Sequence, residues 1–143
     1  MKNTADIKDE YRDSITGGGN EAWLKEMYDT QQKQQSSSYV FIDMNIKRFQ
    51  YMNNKYGRAH ADRALKHLYD ITSQFLSEQE YIARICADDY NLLLHYDTME
   101  AMFEKFLIPF VDAVFDDPDP LFFHNIYLSF GFYFLEQQPC DFY

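Results

Sequence analysis

Positive charge is scarce in this sequence: 13 lysines and arginines stand against 23 aspartates and glutamates in 143 residues, a net charge of −10. A chain this acidic repels phosphate backbones and anionic lipid surfaces unless a local basic patch intervenes. Lys47 and Arg48 are adjacent but isolated, so no such patch exists. Nucleic acid is thereby disfavoured as a general partner, whereas a single nucleotide in a shaped pocket is not. The two cysteines, Cys86 and Cys140, are too few for a disulfide scaffold. A reducing, cytoplasmic setting is the expectation. No apolar run approaches the roughly 20 residues that span a bilayer, and the polar N-terminus lacks the apolar stretch of a secretory signal. His60, His67, His95 and His124 show no metal-ligand spacing with the cysteines and read as solvated or packed side chains.

Apolar and aromatic residues are plentiful, at 46% and 18% of the chain. That composition rules out a disordered chain, and the length suits one domain around one core. Residues 1–19 are polar and end in Gly17-Gly18-Gly19, read as a lead-in or linker segment with a flexible break. Residues 20–143 read as the domain. Asn20 is placed to cap a helix over 20–34 whose apolar stripe is Trp23, Leu24 and Met27. The run Tyr39-Val40-Phe41-Ile42 predicts a buried strand continuing toward Asn45 or Ile46. A short segment from Phe49 stops at Gly57. Ala61, Ala64, Leu65, Leu68, Ile71 and Phe75 then repeat at helical spacing between Ala59 and Leu76.

Residues 81–85 and 90–96 flank the short turn Cys86-Ala87-Asp88-Asp89 and predict a β-hairpin. A second amphipathic helix follows from Met99 to Val114, with Pro109 expected to kink or shorten it. The acidic stretch Asp116 to Pro120 lacks calcium-loop spacing and reads as a solvated loop. Residues 125–135 alternate strictly: Ile126, Leu128, Phe130, Phe132 and Phe134 face one way, Tyr127, Ser129, Gly131 and Tyr133 the other. The order βαββαβ predicts an α+β, ferredoxin-like core with a mixed or antiparallel central sheet flanked by helices.

Four segments, taken in order and spacing, resemble the GGDEF domain of bacterial diguanylate cyclases. Asp13-Ser14-Ile15-Thr16-Gly17 with Asn20 resembles the opening motif D-x-L-T-G-L-x-N-R. Asn45 to Gly57 resembles D-I-D-x-F-K-x-I-N-D-x-Y-G, and Ala61-Asp62 falls where the family has G-D. Arg84-Ile85-Cys86-Ala87-Asp88-Asp89-Tyr90 lies where the family has R-x-G-G-D-E-F, and Ser129-Phe130-Gly131 is similar to its late S-I-G strand. The family's C-terminal helix has no counterpart, so the chain reads as a fragment of a larger bacterial signalling protein.

The resemblance implies a chemistry: two domains of a homodimer each hold a GTP, with Mg²⁺ neutralising charge at phosphorus as cyclic di-GMP forms. It implies Asp88, Asp89 and, more weakly, Asn45 as metal ligands, and Asp89 as the group that activates the attacking hydroxyl in an active enzyme. Asn53 and Asp62 match the residues that bind guanine. Each has a plainer reading, with Asn53 ending a short helix and Asp62 favouring a helix's first turn by its charge. Turn chemistry alone also accounts for Asp88 and Asp89.

Several positions depart from the motif. Asn45 replaces the metal aspartate with a neutral amide, which binds Mg²⁺ less strongly. Asp43 lies on the same strand face, about 6–7 Å upstream by strand rise. Cys86 and Ala87 replace the two glycines that let backbone approach phosphate. Gln50 replaces a phosphate-binding lysine, and Ser77 and Glu80 replace the R-x-x-D of the product-inhibition site. The expected function is a catalytically inactive, cytoplasmic GGDEF-like module of a cyclic di-GMP signalling protein. It would regulate a neighbouring domain or partner protein, with GTP as a candidate ligand and Mg²⁺ only if nucleotide binds. The alternative is a divergent active cyclase; a ligand-free interaction domain, suggested by the many aromatics, is a third reading.

Overall fold

The computed structural model describes residues 7–34, 39–119 and 127–135. The backbone runs through α1 (Glu21–Gln34), β1 (Tyr39–Lys47), α2 (Phe49–Tyr56), α3 (Arg58–Ser73), β2 (Tyr81–Cys86) and β3 (Asp89–Leu94). It continues through α4 (Met99–Met102), a π-helical turn (Phe103–Leu107), α5 (Ile108–Phe115) and β4 (Tyr127–Leu135). The four strands lie in the order β2-β3-β1-β4, with antiparallel pairing at every junction. This is the ferredoxin-like βαββαβ sheet expected from the element order, resolved in favour of the antiparallel alternative.

Period-two alternation sends the strands' apolar residues to two unequal cores. Val40, Ile42, Met44, Ile46, Tyr90, Leu92 and Leu94 pack against Leu65, Leu68, Phe106 and Phe110 of the helices on one face. Leu128, Phe130 and Phe132 of β4 add their rings and branches to the same core. On the other face, Leu24 and Tyr28 of α1 cover Tyr39, Tyr81, Ala83 and Leu93. The partly buried Asp43, Asn45 and Asp89 share the face of Tyr39 by alternation.

Local chemistry sets the element ends. The Asn20 side chain accepts the Trp23 N–H at 3.0 Å and caps α1, as its residue type predicts. Gly57, at φ 90°, separates α2 from α3 and donates its N–H to Asn53 O at 2.9 Å. The helix expected over Met99–Val114 forms as three pieces. Pro109 has no N–H for the carbonyl four residues back, and the chain passes through a π-turn before α5 resumes with proline in its first turn.

The glycine run is a close-packed turn, not a flexible break. Gly17, at φ 79°, donates to Asp13 O at 2.9 Å, and Asp13 N–H donates back to Gly18 O at 2.7 Å. A Cβ on Gly18 would collide with the Tyr69 hydroxyl, and one on Gly19 with the Trp23 indole. Those side chains fill the space that the missing Cβ atoms leave. No described helix is long and apolar enough to cross a membrane.

Candidate functional site

The signature turn joins β2 to β3, with Cys86 opposite Asp89 and a register shift between Arg84 and Cys86. Ala87 takes φ 47°, a left-handed conformation that suits glycine and strains alanine. Arg84 braces the turn: its Nε donates to Ala87 O at 2.8 Å, and its Nη1 donates to Asp13 Oδ1 at 2.7 Å. The second contact is a nearly buried ion pair, the two side chains being 12% and 9% exposed. Asp13 Oδ2 also accepts the Thr16 N–H and hydroxyl, at 2.8 and 2.9 Å. The opening motif and the signature motif, 71 residues apart, are thus locked together by Asp13 and Arg84.

Each acid of the turn already has a local role. Asp88 Oδ2 accepts the backbone N–H of Ile46 at 3.0 Å, tying the turn to β1. Asp89 has its carboxyl pushed up to about 7, first by burial and then by a hydrogen bond to Asp43 and the charges of Asp43, Asp88 and Glu21. Two carboxylates this close disfavour double ionisation, and it is the protonated form of Asp89 that donates to Asp43. Asp89 Oδ1 is buried without a hydrogen-bond partner. The Asn91 amide, turned to suit its neighbours, donates to Asp43 Oδ1 at 3.2 Å. Asp43 pairs with Asn91 in the β1–β3 register, so its reach to Asp89 is the diagonal contact of an antiparallel pair.

Mg²⁺ wants a compact octahedral set of hard, charged oxygens. Asn45 brings a neutral amide, Asp88 commits an oxygen to Ile46, and Asp89 is turned toward Asp43. Among the described residues, the acids of this region do not form a set of three with oxygens within 4.8 Å of one another. The residues present do not fit the ion as they stand.

At the guanine positions, Asn53 and Asp62 are partly buried and make no side-chain hydrogen bond with another described residue. Asp62 falls beyond the first turn of α3, which holds no acid, so the helix-start reading of its charge does not apply. Gln50 donates to Asn54 Oδ1 at 3.1 Å within α2, using the position of the family's phosphate lysine inside the helix. At the product-inhibition positions, Glu80 is 2% exposed. It accepts Ser77 N and Oγ, each at 2.8 Å, and His95 N at 2.9 Å. These two residues build a turn between α3 and β2. A groove of about 890 Å³ opens between the Ser14–Gly17 turn, α1, α3 and the start of β2; none of Asn45, Asn53, Asp62, Asp88 and Asp89 lines it.

Sequence reading found the signature turn and set Asp43 on the strand face of Asn45. Only the fold shows that the Asp43 carboxyl meets Asp89, because the contact depends on the β1–β3 register. The Asp13–Arg84 pair was hidden for the same reason.

Comparison with known proteins agrees with this architecture. The coiled coil and GGDEF domain of DgcB from Caulobacter crescentus, solved with c-di-GMP, superposes with a TM-score of 0.75 at 14% identity, covering 90% of this chain and 71% of that one. The FimX GGDEF domain from Pseudomonas aeruginosa gives 0.75 at 16% identity, covering 92% and 83%. Diguanylate cyclase SiaD from Pseudomonas aeruginosa, solved with its activator SiaC, gives 0.71 at 21% identity, covering 85% and 48%. A search of curated proteins found no match. The profile of the family described as "Diguanylate cyclase, GGDEF domain" matches residues 10–112, and the chain therefore belongs to the GGDEF domain family.

Proposed function

We propose that this GGDEF domain is a catalytically inactive module of a cyclic di-GMP signalling protein that regulates a neighbouring domain or a partner protein. The observation that carries this reading is the state of the acidic turn. Asp89, the residue that would activate a hydroxyl, is hydrogen-bonded to Asp43, with its proton affinity raised by burial and by that contact. A general base needs an open path to the hydroxyl, and the contact with Asp43 occupies the Asp89 carboxyl. Asp88 serves the backbone of β1, and Cys86 and Ala87 put side chains where phosphate would approach. The solved complex of SiaD with its activator SiaC provides a precedent for a partner protein acting on a GGDEF protein.

In this reading Asn53 and Asp62 retain a guanine-binding role, and GTP is a regulatory ligand held mainly by its base. Calorimetric titration of the purified chain with GTP, with and without Mg²⁺, tests the proposal. Binding of equal strength in both conditions, matched by GMP, is expected. Strong tightening by Mg²⁺ would show an assembled triphosphate site and contradict it.

The second reading, a divergent active cyclase, draws on the diagonal approach of Asp43 to Asp89. Two carboxylates supplied by adjacent strands form a start toward a metal site if both ionise. That reading requires Asp89→Ala to abolish cyclic di-GMP formation.

A further inference from the structure

We propose that His67, Asp117 and Asp119 form a binding site for a divalent transition-metal ion of the zinc type, clamping α3 to the loop that follows α5. His67 lies on α3, and the two aspartates lie just beyond α5. Its Nε2 is 3.0 Å from Asp117 Oδ1 and 3.7 Å from Asp119 Oδ2. One donor atom from each residue lies within 4.8 Å of the other two. Zinc bonded to imidazole nitrogen and carboxylate oxygen at about 2.0–2.2 Å in a tetrahedron separates its donors by roughly 3.3 Å. The two distances from His67 bracket that value.

Charge balance favours a divalent ion over a proton. Two carboxylates around one imidazolium leave an uncompensated negative charge. A dication with a neutral imidazole and the same carboxylates is neutral. The side chains of His67, Asp117 and Asp119 are 28%, 13% and 32% exposed, so they feel one another's charge with less screening than on an open surface. They also leave a side open for ion access and for a water as fourth ligand. The loop is already formed for this: Asp119 N–H donates to Asp117 Oδ1 at 2.8 Å, across Pro118. The imidazole selects zinc-like ions over Mg²⁺, which prefers oxygen ligands and keeps its waters. The site is separate from the signature turn and does not depend on nucleotide binding.

Chelator-stripped full chain titrated calorimetrically with zinc chloride, and in parallel with magnesium chloride, tests this. One zinc ion per chain is expected, with Mg²⁺ binding much weaker and with the His67 ring resonances shifting as zinc saturates. His67→Gln and Asp119→Asn should each weaken zinc binding at least about tenfold. Absence of zinc binding at millimolar metal overturns the proposal, as does unchanged affinity in both variants. Unmoved His67 resonances at saturating zinc overturn it without any variant.

Discussion

Asp89 beside the signature turn and Asp43 of the neighbouring strand meet carboxyl to carboxyl, and burial, then this hydrogen bond, raises the proton affinity of Asp89 to a pKa of about 7. The two side chains reach each other because β1 and β3 pair with Asp43 opposite Asn91, two residues along from Asp89. The acid at this position is therefore engaged with a neighbouring carboxyl.

The first prediction is a pH dependence with a definite sign. The folded Asp89 pKa lies above the ordinary carboxylate value, so the folded chain binds this proton more tightly than the unfolded chain. Its contribution to stability is fully present below about pH 4 and is lost as pH rises through about 7. Solvent screening narrows the pH window over which the two states differ in bound protons, and so reduces the total contribution. Asp89→Asn keeps a donor toward Asp43 and cannot ionise. Urea unfolding should show the variant more stable than the parent at pH 8, with their difference shrinking toward pH 4.

Ala87 offers a test of backbone strain. At an ordinary strand or helix position, alanine to glycine costs about 0.5–1 kcal/mol. At φ 47° the sign should reverse, because the left-handed conformation costs an L-residue about 1–2 kcal/mol. Ala87→Gly is expected to leave stability unchanged or raise it by about 0.5 kcal/mol, measured from denaturant midpoints. A loss of about 1 kcal/mol would contradict the turn geometry.

Gly18 is expected to be far less tolerant. An added methyl group collides with the Tyr69 hydroxyl, and the ring is held in the core beneath it. Gly18→Ala should cost about 2 kcal/mol, with overpacking as the cause. Adding Tyr69→Phe, which removes the nearest clashing atom, should recover part of that loss.

The Asp13–Arg84 pair predicts a larger penalty still. Removing one partner of a nearly buried ion pair strands the other charge, at a typical cost of about 3–5 kcal/mol. Asp13 keeps its two hydrogen bonds from Thr16, which lowers the expectation to about 2–3 kcal/mol for Arg84→Ala. Thermal unfolding of the variant, with circular dichroism confirming the native fold at low temperature, checks this.

The fold was legible because its signals are local. The alternation through Phe130 and Phe132, the helical repeat through Leu65 and Leu68, and the Asn20 cap each act within a few residues. The turn at Cys86 to Asp89 announced itself by residue type. The antiparallel arrangement of the whole sheet needed coordinates, since alternation sets a strand's faces but not its neighbours. The site was legible in part. Asp88 lies in the turn as expected and Asp89 opens β3 instead, while their partners, Ile46 and Asp43, come from a strand more than 40 residues away. His67 was read as solvated or packed because Asp117, which it meets, lies 50 residues on. The glycine run misled because composition alone cannot distinguish a hinge from a turn packed under Tyr69 and Trp23.

The measurement that bears most directly on the central claim is cyclase turnover. The purified chain is incubated with GTP and Mg²⁺ at neutral pH, at concentrations high enough to populate a dimer, and cyclic di-GMP is quantified by mass spectrometry. The account predicts no product above that of a reaction without protein. Multiple turnovers per chain, abolished by Asp89→Ala, would contradict it and establish a divergent active enzyme.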